Sequence, residues 1–216
     1  MKNTDRKNLH IAFGLLGAFV LWTCAVTHID VCPIGPDGSC VGFAALNGFV
    51  HKLTGVHFAL YTLTDWLGLV PLCISLGFAV LGLCQLIRRK SLLKVDRSLL
   101  ILGGFYILVG AAYIFFEEFV INYRPVLIEG RLEASYPSST TMLVLCVIPT
   151  AMLQFRERIS RIALRLPIQY ALAAFALFMV AGRLISGVHW FTDIIGGILL
   201  SAGLVMLYYF ACSRYR

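Results

Sequence analysis

Charge is what this chain has least of. Of its 216 residues only 13% are Asp, Glu, Lys or Arg, while 59% are hydrophobic, and the mean hydropathy is +0.85. A soluble domain carries roughly a quarter of its residues charged, so a water-soluble globular fold is excluded. Acidic residues are scarcer than basic ones, 11 against 18, which leaves a net charge of +7. No basic stripe accompanies that excess: the cations fall in short clusters between apolar runs, the pattern of membrane topology and not of a nucleic-acid partner. A zinc-type spacing of Cys and His is absent, so neither a metal nor another cofactor is implied. There is no convincing internal repeat, which argues against a small transporter built by duplication. No stretch is left for a second domain, and residues 1–216 read as one all-α, polytopic membrane domain.

What is present is a series of apolar runs separated by polar punctuation. A span needs about 20 residues to cross the hydrocarbon. After the basic start Met1–Lys7, the run Ile11–Val26 resembles a signal peptide with Lys2, Arg6 and Lys7 before it, but the runs that follow favour an uncleaved first helix. Residues 27–63 read as a long connection, with turn signals from Cys32 to Cys40 and a short amphipathic or re-entrant helix over Val41–Leu53. Further spans are predicted over Trp66–Ile87, Leu99–Ile121, Thr140–Phe155, Tyr170–Ile185 and Phe191–Cys212, giving a bundle of six. The amino terminus, the 88–98 and 156–165 loops and the carboxy tail hold 14 of the 18 Lys and Arg. Both termini are therefore expected in the cytoplasm, and Arg124, Arg131, Arg183, His189 and Asp193 on the outer side of a cell membrane. Cys24, Cys73, Cys84, Cys146 and Cys212 read as small packing residues of the spans. Cys32 and Cys40 share an outer loop, where a disulfide is permitted.

Ionisable residues beside long apolar runs are costly and usually functional. The densest group is the stretch Gly182–Asp193. His189 and Asp193 are four residues apart, a spacing that on a helix places imidazole and carboxylate on one face and lets the carboxylate hold the ring tautomer. Arg183 lies across a Ser-Gly break and can clamp a phosphate at the same point. Two more stretches join it. One is Glu117-Glu118-Phe119-Val120-Ile121-Asn122-Tyr123-Arg124-Pro125; the other is Tyr136-Pro137-Ser138-Ser139-Thr140-Thr141, where proline before small hydroxyls suits a helix start whose free N–H groups favour an anion.

The order Arg-Pro, Pro-Ser, then Arg-x5-His-x3-Asp resembles the type 2 phosphatidic acid phosphatase (PAP2) and vanadium haloperoxidase superfamily, over about residues 60–212. The resemblance implies six membrane helices and an outward-facing site hydrolysing a lipid phosphate or diphosphate. It implies that Arg124 and Arg183 bind phosphate, that Ser138 assists through its hydroxyl or amide, that His189 attacks phosphorus, and that Asp193 orients His189. Membrane lipid and a lipid phosphate or polyprenyl diphosphate are the expected partners. Set against the family pattern Lys-x6-Arg-Pro, Pro-Ser-Gly-His and Ser-Arg-x5-His-x3-Asp, this chain has Glu117 for the lysine, Ser139 for the glycine, Thr140 for the second histidine and Gly182 for the serine. Threonine cannot deliver a proton to a leaving group at neutral pH. Either the proton comes from elsewhere, or the substrate needs little of it, or the protein is a silent homologue that binds anionic lipid or regulates a partner. Glu117 must turn away, be neutralised by Arg131 or another cation, or stay protonated beside Glu118, which would make it a replacement acid.

Overall fold

The computed structural model describes residues 3–214, and each predicted span is helical in it. The helices are α1 (Asn3–His28), α2 (Ala44–Thr54), α3 (Phe58–Leu67), α4 (Leu69–Arg89), α5 (Arg97–Glu118), α6 (Ser139–Arg158), α7 (Ile162–Ile185) and α8 (Phe191–Ser213). α3 and α4 run on across Gly68 as one span, so six helical segments are long and apolar enough to cross a membrane. α2 has 11 residues and is too short to cross. The chain is a multi-pass membrane protein, with broad apolar surfaces such as Leu76, Ile107, Ile114 and Leu177 turned outwards where lipid lies.

Two boundaries differ from the hydropathy reading. The second span begins at Phe58 and not at Trp66, inside what reads as a connection. Its first turns carry Thr64, whose hydroxyl donates back to the carbonyls of Leu60 and Tyr61, 2.9 Å each, so the polarity is absorbed within the helix. The fifth begins at Ile162, eight residues before Tyr170, and the basic segment 156–165 is mostly helical. Arg156 and Arg158 end α6 and Arg165 lies in α7, where long cationic side chains reach past the hydrocarbon and leave the helix intact. Lys2 and Arg216, expected in the cytoplasm, lie outside the described residues. Cys32 and Cys40 are free thiols. Cys32 pairs through its backbone with Val41 (3.1 and 2.9 Å), so Cys40, one residue out of register, faces the other way.

α6 and α8 form the interior: half of each span is buried, against 11–22% of the other four. Small residues on α8 allow the close approach. A Cβ on Gly203 would meet Leu16 of α1 at 2.7 Å, and one on Gly197 would meet the Ser138 carbonyl at 3.1 Å. Phe19, Phe116 and Tyr136 pack together at that junction, and Tyr136 shares a 2.7 Å hydroxyl bond with Thr23. Six crossings return the chain to its starting side. The carboxy end of α5, the start of α6, the end of α7 and the start of α8 therefore meet on the face opposite both termini.

Candidate active site

The loop from Phe119 to Ser138 folds back on itself and carries three side chains into that face. Tyr123 pairs with Ala134, the Arg124 amide donates to the Glu133 carbonyl (3.1 Å), and the Ser135 amide to the Asn122 carbonyl (2.9 Å). This register sets Asn122 and Ser135 side by side, and both reach Asp193. Asn122 Nδ2 donates to Oδ1 (3.3 Å), and Ser135 Oγ donates to Oδ2 (2.5 Å). Asp193, at the third position of α8, also accepts from the Trp190 amide (2.9 Å), as a carboxylate near a helix start does. It is fully buried and has three donors.

The corner between α7 and α8 presents His189. Gly187 adopts φ +68°, and a Cβ there would fall 1.8 Å from the Gly55 carbonyl oxygen, so only glycine permits the turn and the contact. The His57 amide donates to the Ser186 carbonyl (3.0 Å), and Asn47 of α2 ties to Thr192 by two bonds (2.9 and 3.2 Å). α2 and the residue before α3 thus brace the corner. Because α8 begins at Phe191, His189 lies in the corner and does not share a helical face with Asp193. Their nearest atoms, Nδ1 and Oδ2, are 3.9 Å apart, beyond a hydrogen bond.

Ser135 fills that gap. Its Oγ is 3.0 Å from His189 Nδ1 and 2.5 Å from Asp193 Oδ2. On the other side of the ring, Arg183 Nη2 is 3.0 Å from Nε2. A guanidinium only donates, so this network assigns the proton to Nδ1: Nδ1–H donates to Ser135, Ser135 donates to Asp193, and Nε2 keeps its lone pair. Burial first, then the neighbouring charges of Arg183 and Arg124, hold the His189 pKa well below the ordinary value for histidine. The ring is neutral at physiological pH, the state a nitrogen nucleophile requires.

Arg124 and Arg183 flank one aromatic ring, with their guanidinium carbons 5.7 and 5.0 Å from the centroid of Tyr61. Arg183 is fully buried and Arg124 is 8% exposed. Arg124 Nε is 3.2 Å from Glu133 Oε2 and Arg183 Nη1 is 3.6 Å from Asp65 Oδ1, yet neither contact has hydrogen-bond alignment. Nε and Nη1 of both arginines are buried N–H donors without an acceptor. They stand at the head of a cleft of about 1080 Å³ whose deeper walls, including Leu72, Val109, Leu143 and Val147, are apolar.

Of the residues singled out by sequence, Arg124, Arg183, His189 and Asp193 converge. Ser139 and Thr140 line the cleft beside the arginines. Ser138 is buried as the cap of α6: its Oγ accepts from the Thr141 amide (3.5 Å), while its own amide donates to the Asp193 carbonyl (3.0 Å). The amide proposed to assist at phosphate is thereby engaged in joining α6 to α8, while the hydroxyl caps α6 and keeps its own proton to donate. Glu117 is exposed on the cleft lining. It makes no ion pair among the described residues, with Arg131 or any other cation, and Tyr113 is its neighbour. Asp65, Tyr61, Glu133 and Ser135 escape the sequence reading, and Asn122 enters it only as part of the 117–125 stretch, with no role of its own. Only Asp65 leaves a signal there, as a lone acid beside a long apolar run.

Fold and geometry define a class: a six-span membrane protein whose buried histidine, relayed to a carboxylate, faces two unsatisfied arginines at the head of an apolar cleft. The family model for the PAP2 superfamily matches residues 99–215, and the chain belongs to that superfamily. Its fold is similar to the crystal structure of a transmembrane PAP2-type phosphatidylglycerolphosphate phosphatase from Bacillus subtilis, with 19% identity, a TM-score of 0.57, and coverage of 96% of this chain and 98% of that one. Among the curated proteins compared by sequence, none matches.

Proposed function

We propose that this protein is a phosphatase of a lipid diphosphate or phosphate, acting at the outer face of the membrane through a phosphohistidine on His189. Family membership supports a membrane phosphatase in general. The observation that carries the finer reading is the set of buried, unsatisfied N–H donors on Arg124 and Arg183, the second of which also donates to His189 Nε2. A tetrahedral phosphate satisfies such planar forks, and an apolar chain fits the cleft wall below them. In this reading Arg183 turns from Nε2 to the phosphate oxygens as substrate arrives. Nε2 attacks phosphorus, the P–O bond to the leaving group breaks, and the positive charge on the ring is shared through Ser135 with Asp193.

Thr140 supplies no proton to the leaving group. A diphosphate expels a phosphate that is stable as an anion, whereas a monoester expels an alkoxide that depends on proton delivery. The preferred substrate is therefore a lipid diphosphate such as a polyprenyl diphosphate, and Thr140→His is expected to raise turnover of a monoester such as phosphatidic acid. Purified protein in lipid nanodiscs should release phosphate from the diphosphate faster than from the monoester, and His189→Ala should release none. Absence of turnover with both substrates, unrelieved by Thr140→His, would favour the silent homologue that binds anionic lipid. Equal turnover of both would mean that another group donates the proton, and loss of the monoester activity alone in Glu117→Gln would identify it.

A further inference from the structure

A phosphohistidine must also be hydrolysed, and that half of the reaction needs a group to take the proton of the attacking water. The threonine at position 140 is no such base. Three carboxylates border the cleft, those of Asp65, Glu117 and Glu133. Glu133 is held beside Arg124, by its side chain at 3.2 Å and by its backbone at 3.1 Å. Glu117 contacts neither arginine. Asp65 differs from both, because it touches the guanidinium that holds the nucleophile: Oδ1 is 3.6 Å from Arg183 Nη1, and Arg183 Nη2 is 3.0 Å from His189 Nε2. Carboxylate and imidazole thus lie against two prongs of one planar group, and Asp65 and Arg183 both line the cleft.

The helix places Asp65 there for a simple reason. Tyr61, Asp65, Gly68, Leu69 and Leu72 recur at helical spacing and form the α3–α4 wall of the cleft. A Cβ on Gly68 would lie 3.7 Å from Thr140 Cγ2, so Gly68, one turn after Asp65, lies against the residue that stands where the family pattern has its second histidine. Its side chain is 58% exposed, so water reaches it and it can turn away from Arg183.

We propose that Asp65 is the catalytic base for hydrolysis of the phosphohistidine, an inference that rests on the reading above. Water bound between Asp65 and phosphorus loses its proton to the carboxylate as its oxygen bonds to phosphorus. The P–Nε2 bond breaks with its electron pair returning to His189, inorganic phosphate leaves, and Arg183 again donates to Nε2.

The test is rapid mixing of full-length protein in nanodiscs with polyprenyl diphosphate radiolabelled in its terminal phosphate, for wild type, Asp65→Asn, Asp65→Glu and His189→Ala. Asp65→Asn is expected to release one equivalent of polyprenyl monophosphate at the wild-type rate and then stall. Its steady state should fall roughly 100-fold while acid-labile, alkali-stable label accumulates on the protein. Asp65→Glu should recover part of the steady state, and His189→Ala should give no burst. If Asp65→Asn slows burst and steady state equally and traps no label, Asp65 only offsets the charge of Arg183 and the proposal is overturned. Unchanged turnover in Asp65→Asn overturns it too. A wild type that turns over while neither it nor Asp65→Asn is ever labelled sinks the phosphohistidine reading itself, and the base with it.

Discussion

Ser135 joins two groups that do not touch. The 3.9 Å between His189 Nδ1 and Asp193 Oδ2 is too long for the carboxylate to orient the ring directly, and the serine hydroxyl relays the constraint by accepting from one and donating to the other. Removing it leaves Nδ1–H without an acceptor while Asp193 keeps Asn122 and the Trp190 amide. Ser135→Ala is therefore expected to fold, to bind substrate with little change in KM, and to lose roughly 100-fold in kcat. Ser135→Thr, which keeps the hydroxyl, should lose much less. Steady-state kinetics of the two variants decide the matter, and an Ala variant with wild-type kcat would show that the ring needs no relay.

Among the elements, the α7–α8 corner is the least tolerant of change. The contacts that fix the backbone beside His189 pass through it: the bond from His57 to Ser186, the packing of Gly187 on Gly55, and the Asn47 ties to Thr192. Gly187→Ala forces a side chain into the left-handed region and against a backbone oxygen that a Cβ would meet at 1.8 Å. The expected cost exceeds about 1 kcal/mol, read as a lower melting temperature in detergent, together with loss of activity. Gly104→Ala on α5, where a Cβ meets nothing within 4 Å, is the control and should melt at or slightly above wild type. Equal melting of the two variants would refute the corner as a fixed brace.

The molecule as a whole sets the site apart from its basic ends. With six crossings, the clustered cations near both termini, at 88–98 and at 156–165 lie on one side, and Arg124, Arg183 and His189 on the other. By the positive-inside tendency we expect the cleft to face the exterior. A reporter fused after Arg216 should report cytoplasm and one inserted at Gly38 the exterior. The reverse pattern would turn the site inwards and rule out an external substrate.

Much of this protein is written locally. Hydropathy runs reveal the spans, because the bilayer rewards about 20 apolar residues in succession wherever they occur. The spacing Arg183, His189, Asp193 and the Arg124-Pro125 pair are visible because each is contained in a few neighbouring residues. The missed features depend on distant segments meeting. The start of α3 is masked by threonine polarity that only a formed helix absorbs. Helical spacing suggests a direct contact between His189 and Asp193, but the helix starts after the histidine, and the bridging serine arrives from a loop whose own pairing sets its register. That the Ser138 amide is engaged by the Asp193 carbonyl is invisible for the same reason: the bond forms only where α6 meets α8. Asp65 becomes a neighbour of Arg183 only when α3 packs on α7. Composition and short spacing determine that the chain crosses a membrane and which motif it carries. Which side chains share protons is decided by packing, since hydrogen bonds act over about 3 Å and pattern along a chain does not fix distances that small between remote residues.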